Sequence, residues 1–275
     1  PHSAERYLSA FNTLNDAKPR TLYHAHRQIE LGTLRALDDD RLPDAITGYF
    51  YIFSKVNFND PWLNTIRNDQ ATEEELRALN IPRHLAPEFR RFRYVFDPHR
   101  HRLFFETFTR ERHYISPRAF GSAVGRLLQT VIPEAFDEVN AVVIPDQTAV
   151  DNILDMNRLR KLSLVINRPN PDDDEFETEF LGELDEENVG TVQQVLIKAP
   201  GVPAIIPNMV TRQLAHLAAK FGFAEGWGKN AEGASIRRDT EQSPKEHTVV
   251  FADTEDSLDK AIEFIAQQHG DDGHG

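Results

Sequence analysis

The chain has 275 residues, a formal net charge of −13, 40% apolar residues and 27% charged residues. This length suits one large domain or two small ones, and the composition is that of a globular protein rather than a disordered one. The sequence contains no cysteine, which excludes disulfides, thiolate zinc sites, iron–sulfur clusters and cysteine nucleophiles. Because no apolar run approaches the ~18 residues of a membrane span, we expect a soluble, cytoplasmic protein.

The charge is divided unevenly along the chain. Residues 1–130 hold 19 Lys and Arg against 16 Asp and Glu, a net of +3, and 17 of those 19 cations are arginines. Residues 131–275 hold 12 Lys and Arg against 28 Asp and Glu, a net of −16. Arginine suits bidentate contact with phosphate or carboxylate, although a genome rich in G and C also favours it. A local basic face on the first half therefore remains compatible with the acidic total.

The first elements in chain order are a helix and two long strands. Apolar residues recur at helical spacing in residues 3–14. Two strand-like runs follow at residues 21–37 and 45–58, separated by an acidic turn. Thr72 and Glu75 have the spacing of a capping box, which predicts a short helix that ends before Pro82.

The middle of the chain predicts the order β-β-α-β-α-β. Two alternating runs flank the turn Asp97–Arg100, which indicates a hairpin, and Pro117 follows a serine in the manner of a helix start. The six predicted elements are strands 89–96 and 102–108, a helix from residue 116, strand 138–144, helix 148–156 and strand 161–167.

The rest of the chain predicts a second unit with the order β-α-β-β-β-α, preceded by an acidic helix over residues 172–187. Its elements are strand 191–198, helix 208–221, strands 223–229, 234–239 and 247–251, and helix 254–267. We therefore expect an α+β fold of mostly antiparallel sheets with helices packed on one face. The expected lobes are a basic, arginine-rich one at 1–168 and an acidic α+β one at 169–268, with a disordered tail at 269–275; a single continuous domain is the alternative.

One constellation stands out as a candidate nucleic-acid site. Arginines of the predicted hairpin alternate with aromatic residues; guanidinium groups neutralise phosphates, and rings stack on unpaired bases. The candidate binding residues are Arg90, Arg91, Arg93, Arg100, Arg102, Arg110, Arg112, Arg118 and Arg168. The alternative is structural: the aromatics enter a core, and the arginines face water and pair with acids of the second half.

Three further groups have a functional and a structural interpretation. His99 and His101, with His113 nearby, are either two metal ligands or part of a surface turn. The acids at 172–174, which follow a strand and Arg168, either bind Mg²⁺ or satisfy a helix N-terminus. Arg212, with His216 and Lys220 at helical spacing, forms either a solvated face or, with Arg237 and Arg238, a small anion patch.

Established catalytic motifs are missing from the sequence. It has no P-loop, no dinucleotide-binding glycine pattern, no nucleophile elbow and no His-Glu-x-x-His. We accordingly name no catalytic residue, no metal site and no cofactor, and we favour a non-enzymatic protein.

The order of these elements resembles a protein family. The segments 97–103 and 166–173 and the helix–glycine–three-strand ending resemble the bacterial family called domain of unknown function 4747, over about residues 11–265. The resemblance implies a bacterial cytoplasmic protein and carries over no catalytic residue. In broad character the chain also resembles phage-defence proteins that bind DNA without cleaving it.

The favoured hypothesis is a non-enzymatic protein that binds DNA or RNA through the arginine-rich hairpin, as a component of an antiphage system. A metal-dependent nuclease, with the acids at 172–174 as metal ligands, is the second hypothesis. The third is a subunit of a complex, whose acidic lobe binds a basic protein partner. We expect no contact with a membrane.

Overall fold

The computed structural model describes residues 3–57, 59–82, 84–132, 139, 141–167, 182, 184, 186–230, 232–247 and 255–269. The helices are α1 (Ala4–Ala17), α2 (Glu73–Ala78), α3 (Pro117–Gln129), α4 (Gln147–Leu154), α5 (Met209–Phe221) and α6 (Glu255–His269). The strands are β1 (Thr21–His24), β2 (Arg27–Ala36), β3 (Ile46–Ser54), β4 (Leu63–Asn64), β5 (Asp69–Gln70), β6 (Arg90–Asp97), β7 (Arg102–Phe105), β8 (Lys161–Asn167), β9 (Thr191–Ile197), β10 (Gly222–Lys229) and β11 (Ser235–Asp239). A 3-10 turn follows at Thr240–Gln242. Among the described helices, none is long and apolar enough to cross a membrane.

The predicted α+β class is confirmed, and the strand pairs are antiparallel. A first sheet has the order β1-β2-β3-β6-β7, and a second has the order β11-β10-β8-β9. Strands β4 and β5 form a small separate pair. Short hairpins join β1 to β2, β2 to β3, β6 to β7 and β10 to β11, whereas the pairs β3–β6, β8–β9 and β8–β10 join strands that are farther apart in the chain.

The inner face of the first sheet packs against α1 and α3. Alternate residues of each strand point to this face, so Phe50 and Phe92 meet Phe120 of α3 in a buried cluster. Phe50 contacts Phe120 edge to face, with ring centroids 5.1 Å apart. Ser116 begins α3 by accepting a hydrogen bond from the Ala119 N–H, and Pro117 occupies the first turn. The predicted start of this helix is confirmed.

The outer face of the first sheet carries another helix. Val95 and Phe104 point to this face and pack with Ile262 and Ala266 of α6. The first sheet therefore has helices on both faces, whereas we expected them on one. The reason is that α6, although last in the chain, returns to β6 and β7 instead of covering the second sheet.

The second sheet has its described helices on one face, as expected. Ile153 of α4 and Leu217 of α5 pack with Leu164 of β8 in a second buried cluster. Gly222 ends α5 and begins β10. A Cβ at Gly222 would lie 2.1 Å from the carbonyl oxygen of Val165 in β8, so only glycine fits where β10 meets β8.

Two predicted strands are wrong in detail. Residues 21–37 form a hairpin of β1 and β2 rather than one strand, because Ala25 takes a left-handed conformation (φ 50°) that turns the chain. The predicted strand 138–144 does not form over its described residues, 139 and 141–144. These pack along α3 instead: the carbonyl oxygens of Val139 and Ala141 lie against Gly125 and Gly121.

Other predictions concern residues beyond the described ranges. The acidic helix 172–187 and the strand 247–251 lie almost wholly outside them, as does the tail at 270–275. The lobe boundary at residue 168 stays a prediction. However, β8 pairs with β9 and β10, so the second sheet already begins at Lys161.

Candidate nucleic-acid interface

Strand alternation separates the predicted arginines. On β6, Arg90 shares the inner face with Phe92, whereas Arg91 and Arg93 point to the outer face. These three residues therefore cannot contact one ligand together on a single face of the sheet. The hairpin supplies two separate groups of cations.

The outer-face arginines pack on an aromatic ring. The guanidinium carbons of Arg91 and Arg93 lie 5.2 and 5.0 Å from the centre of the Tyr49 ring. Arg93 is only 7% exposed, and the Glu106 carboxyl lies beside it. Burial raises the Glu106 pKa above its ordinary value, an effect that Arg93 partly offsets. Arg93 consequently acts as a core cation, while Arg91 is exposed.

The arginine at the hairpin turn is neutralised locally. Arg100 Nη1 lies 2.8 Å from Oδ2 of Asp97, a fully buried carboxylate that also accepts the backbone N–H groups of residues 99 and 100. Arg102 pairs directly opposite Asp97 across the β6–β7 hairpin. These contacts organise the turn, and they lower the charge that Arg100 can offer to a phosphate.

Arg118 and Arg168 belong to other parts of the molecule. Arg118, in the first turn of α3, forms an ion pair with Glu241 at 3.0 Å and so ties α3 to the turn after β11. Arg168 lies outside the described residues. Arg110 and Arg112 are exposed in the turn that follows β7.

The two histidines of the turn point to different partners. His99 Nε2 lies 2.9 Å from Asp44 Oδ2, whereas His101 packs on the Tyr7 ring with centroids 5.0 Å apart. Within the described residues, no group of three or more His, Asp or Glu side chains could hold a metal ion. The acids at 172–174 lie outside the part of the chain that the structure describes.

A cleft of about 300 Å³ opens where the inner face of the first sheet meets the start of α3. It combines cationic, phenolic and apolar side chains. Its lining residues are Tyr23, His24, Arg27, Ile52, Arg90, Phe92, Tyr114, Ser116 and Ala119. Ile52 and Phe92 belong to the buried core, so they form an apolar floor beneath the polar groups.

The two arginines of the cleft come from strands on either side of β3. Arg27 pairs opposite Ser54 and Arg90 opposite Ile52, and β2 and β6 lie about 10 Å apart, two inter-strand spacings. Both guanidinium groups are close enough to Tyr23 to lower its pKa. In the described part of the chain, no ion pair involves Arg90. The long side chains thus converge on one space from two strands.

Tyr23 is fixed at the back of the cleft. Its hydroxyl oxygen accepts a hydrogen bond from the Ser116 N–H at 3.1 Å, immediately before α3 begins. Burial is the dominant effect on this phenol and raises the Tyr23 pKa above its ordinary value. Tyr23 therefore keeps its proton at neutral pH and can donate it to an anion.

Arg27 is held at the rim by Glu88. Arg27 Nε lies 3.4 Å from Glu88 Oε2, and Ser54 donates a hydrogen bond to the same carboxylate oxygen. The Ser54 hydrogen bond holds the pKa of Glu88 below its ordinary range. Glu88 does not line the cleft, so its charge orients Arg27 from outside.

Exposed aromatic rings extend the cleft along the surface. Tyr114, which lines the cleft, forms an isolated β-bridge with Phe108, and the two side chains are 57% and 58% exposed. The exposed Arg110 and Arg112 lie in the turn that joins them. Rings of this exposure can stack on unpaired bases, and the adjacent guanidinium groups can contact phosphates.

Sequence reasoning found part of this surface and missed the rest. Arg90, Arg110 and Arg112 were among the predicted binding residues. Arg27 and Tyr23 were not, because they lie more than sixty residues before the hairpin and belong to an ordinary alternating strand pattern. Their one local signal was the aromatic and basic run at residues 23–27, which resembles any amphipathic hairpin.

The basic row predicted on the second unit is locally paired. Arg212 lies 2.8 Å from Asp155, and His216 Nε2 lies 3.7 Å from Asp151. Arg237 forms an ion pair with Glu225, and Arg238 donates to the Asn152 carbonyl. This arrangement favours the structural interpretation of the row over an anion patch.

Comparison with known families finds a match over almost the whole chain. The family described as "Domain of unknown function (DUF4747)" matches residues 1–267. The chain therefore belongs to this family, as the resemblance indicated. No curated protein matches the sequence.

Proposed function

We propose that this DUF4747 protein binds single-stranded nucleic acid along the surface formed by the cleft and the two exposed rings. Phosphates contact Arg27 and Arg90, and bases stack on Tyr114 and Phe108. One observation carries the proposal: Tyr114 belongs both to the cationic cleft and to the aromatic bridge. Phosphate contacts and stacking positions are therefore contiguous, as binding of a flexible strand requires.

Single strands suit this surface better than duplex. The exposed rings need unpaired bases as partners, and bases inside a duplex are already stacked. The acidic total charge of −13 opposes non-specific attraction of polyanions elsewhere on the protein. Binding should thus depend on a few local cations rather than on the whole surface.

The test is a comparison of labelled single- and double-stranded DNA and RNA by fluorescence anisotropy. We expect single strands to bind more tightly than duplex, with affinity that falls steeply between roughly 50 and 200 mM salt. The double substitution of Arg27 and Arg90 by alanine should weaken binding at least about tenfold, and Tyr114→Ala should weaken it by a similar factor.

Arg212→Ala is the matched control, because it removes one surface arginine from the second unit. It should leave the affinity unchanged. Binding that does not respond to salt, or that Arg212→Ala weakens as much as the cleft variants do, would overturn the proposal. Running the same mixtures with Mg²⁺ on a denaturing gel shows whether the strand stays intact, as a non-enzymatic binder requires.

The two other hypotheses rest on regions with less to support them. The nuclease hypothesis depends on the acids at 172–174, which lie outside the described residues. The hypothesis of a basic protein partner depends on the acidic lobe. The most acidic segment of that lobe, residues 172–187, also lies almost wholly outside the described residues. Neither has a described site comparable to the cleft.

A cytoplasmic role in antiphage defence is part of the same proposal. It is supported by the resemblance and by the expectation that a defence protein meets foreign nucleic acid. Plaque counts on bacteria that express the chain, or its Arg27/Arg90 double variant, test it. Protection that the variant lacks would support the role, and equal plaque counts with and without the chain would refute it.

A further inference from the structure

We infer that the cleft holds the phosphorylated end of a nucleic-acid strand, a terminal phosphomonoester, rather than an internal phosphodiester. This inference rests on the proposed function and assigns a ligand to its cleft. Four features of the described residues support it. They are the volume of the cleft, its apolar floor, the two arginines that reach it from different strands, and the uncharged groups in its wall.

The volume fits one nucleotide. At about 300 Å³ the cleft lies at the lower end of the range of small-molecule sites, roughly 300–1,000 Å³. A volume of this size suits one nucleotide of a strand. Residues further along the strand would then lie outside the cleft, on the Tyr114 and Phe108 rings.

The floor of the cleft is made of core side chains. Ile52 and Phe92 are 2% and 1% exposed and belong to the core beneath α3, so a bound strand cannot continue into the protein. An internal phosphodiester must therefore leave over the rim in two directions. A chain end needs to leave in one direction only.

The charge of the site matches a doubly ionised phosphate. A phosphomonoester carries about −1.5 to −2 charges at neutral pH, whereas an internal phosphodiester carries one. Arg90, which has no ion pair within the described residues, and Arg27, which also pairs with Glu88 at 3.4 Å, supply two guanidinium groups from opposite sides of β3. Two planar donors that converge on one anion favour the more highly charged end.

Uncharged donors complete the site without competing for the phosphate charge. The Tyr23 hydroxyl is protonated and is oriented by the Ser116 N–H. Ser116 and Ala119, in the cleft wall, belong to the N-terminal turn of α3, a helix of 13 residues whose dipole favours an anion there. The wall therefore adds to the attraction that the arginines provide.

The experiment compares oligonucleotides of one sequence that carry a 5′-phosphate, a 3′-phosphate or hydroxyls at both ends. We expect one phosphorylated end to bind about tenfold more tightly than the unphosphorylated strand. Arg90→Ala should abolish that preference, and Arg212→Ala should leave it intact. Arg90→Lys should keep the salt-dependent binding but reduce the preference, because lysine cannot make a bidentate contact.

Competition identifies the source of the phosphate. A nucleoside monophosphate and inorganic phosphate are added separately against the phosphorylated strand, and we expect only weak competition from either at equal concentration. If the free monophosphate binds and no oligonucleotide does, the ligand is a free nucleotide and the strand-end assignment is wrong.

The outcomes also separate this inference from the proposed function. Equal affinity for phosphorylated and unphosphorylated strands, with binding still lost in the Arg27/Arg90 double variant, would overturn the inference and leave the proposed function standing. Absence of binding to every oligonucleotide would overturn both.

Discussion

Arg90 of the first sheet differs from the cations of the second sheet. In the second sheet Arg237 pairs with Glu225, and the Lys161 ammonium lies 4.2 Å from the centre of the Trp227 ring. In the first sheet Arg90 lines a cleft and no ion pair involves it within the described residues, whereas Arg27 beside it pairs with Glu88. The comparison teaches that arginine density along the chain does not locate an anion site. What locates it is whether neighbouring acids and rings have already satisfied the cations.

The largest expected effect concerns whether the two sheets unfold together. Phe120→Ala removes a buried ring from the core of the first sheet, and we expect the free energy of unfolding to fall by about 3–5 kcal/mol. Leu164→Ala in the core of the second sheet should lower it by about 2–5 kcal/mol. Because α3 is tied to the turn after β11 and α6 returns to the first sheet, calorimetry should show one transition, shifted in both variants. Two transitions, each sensitive to one variant, would instead show two independent domains.

A second comparison tests close strand contacts in each sheet. A Cβ at Gly48 would lie 2.1 Å from the Thr33 carbonyl oxygen, and one at Gly222 would lie equally close to that of Val165. Each substitution by alanine should cost about 1–3 kcal/mol, since backbone must move. Gly121→Ala is the control: its nearest neighbour is 3.4 Å away, and helix propensity should stabilise α3 by up to about 1 kcal/mol. Chemical denaturation measures all three, and a neutral Gly48→Ala would contradict the packing described.

The third prediction tests the difference in cation use directly. Arg90→Ala should weaken binding of a single strand about tenfold and reduce the slope of log affinity against log salt by about one, because one phosphate contact is lost. Arg237→Ala, which removes a cation already paired with Glu225, should change neither quantity. Anisotropy titrations at several salt concentrations measure both, and equal slopes for the two variants would remove the distinction between the sheets.

The smallest expected effect lies at the ion pair between the sheets. Burial raises the Glu241 pKa, so the folded protein binds this proton more tightly than the unfolded chain, and stability falls as pH rises through that pKa. Arg118 offsets the cost of the ionised form. Arg118→Ala should therefore destabilise the protein by under about 1 kcal/mol at pH 8 and by almost nothing at about pH 4. Urea unfolding at both pH values measures this, and an equal effect at both would show that charge is not the cause.

Much of the fold was predictable because its signals are local. The capping box at Thr72 forms as expected, with the Thr72 N–H donating to Glu75 Oε2 at 2.8 Å. The strand Lys161–Asn167 has the predicted bounds. Such features depend on side chains a few residues apart, and the conformational preferences of those residues are enough to fix them.

The strand predicted over residues 138–144 shows that a local sequence pattern is not sufficient to form a strand. The segment is apolar enough for a strand, but Val139 and Ala141 lie against the two glycines of α3, which leave room for their carbonyl oxygens. The Val139 N–H donates to the Gln129 side chain at 2.9 Å rather than to a neighbouring strand. An extended segment becomes a strand only when a partner edge is available, and that depends on the tertiary fold.

The candidate site also has features that the sequence predicts and features that depend on the tertiary structure. The sequence by itself determined the α+β class, most of the helices and strands, the excess of arginine in the hairpin and the absence of cysteine chemistry. Only the tertiary structure decided that Arg90 and Arg91 face opposite sides, that β8 joins the second sheet, and that Arg27 and Tyr23 meet the hairpin. The physical reason is that alternation and capping act over a few residues, whereas a cleft is assembled by strand pairing between segments far apart in the chain.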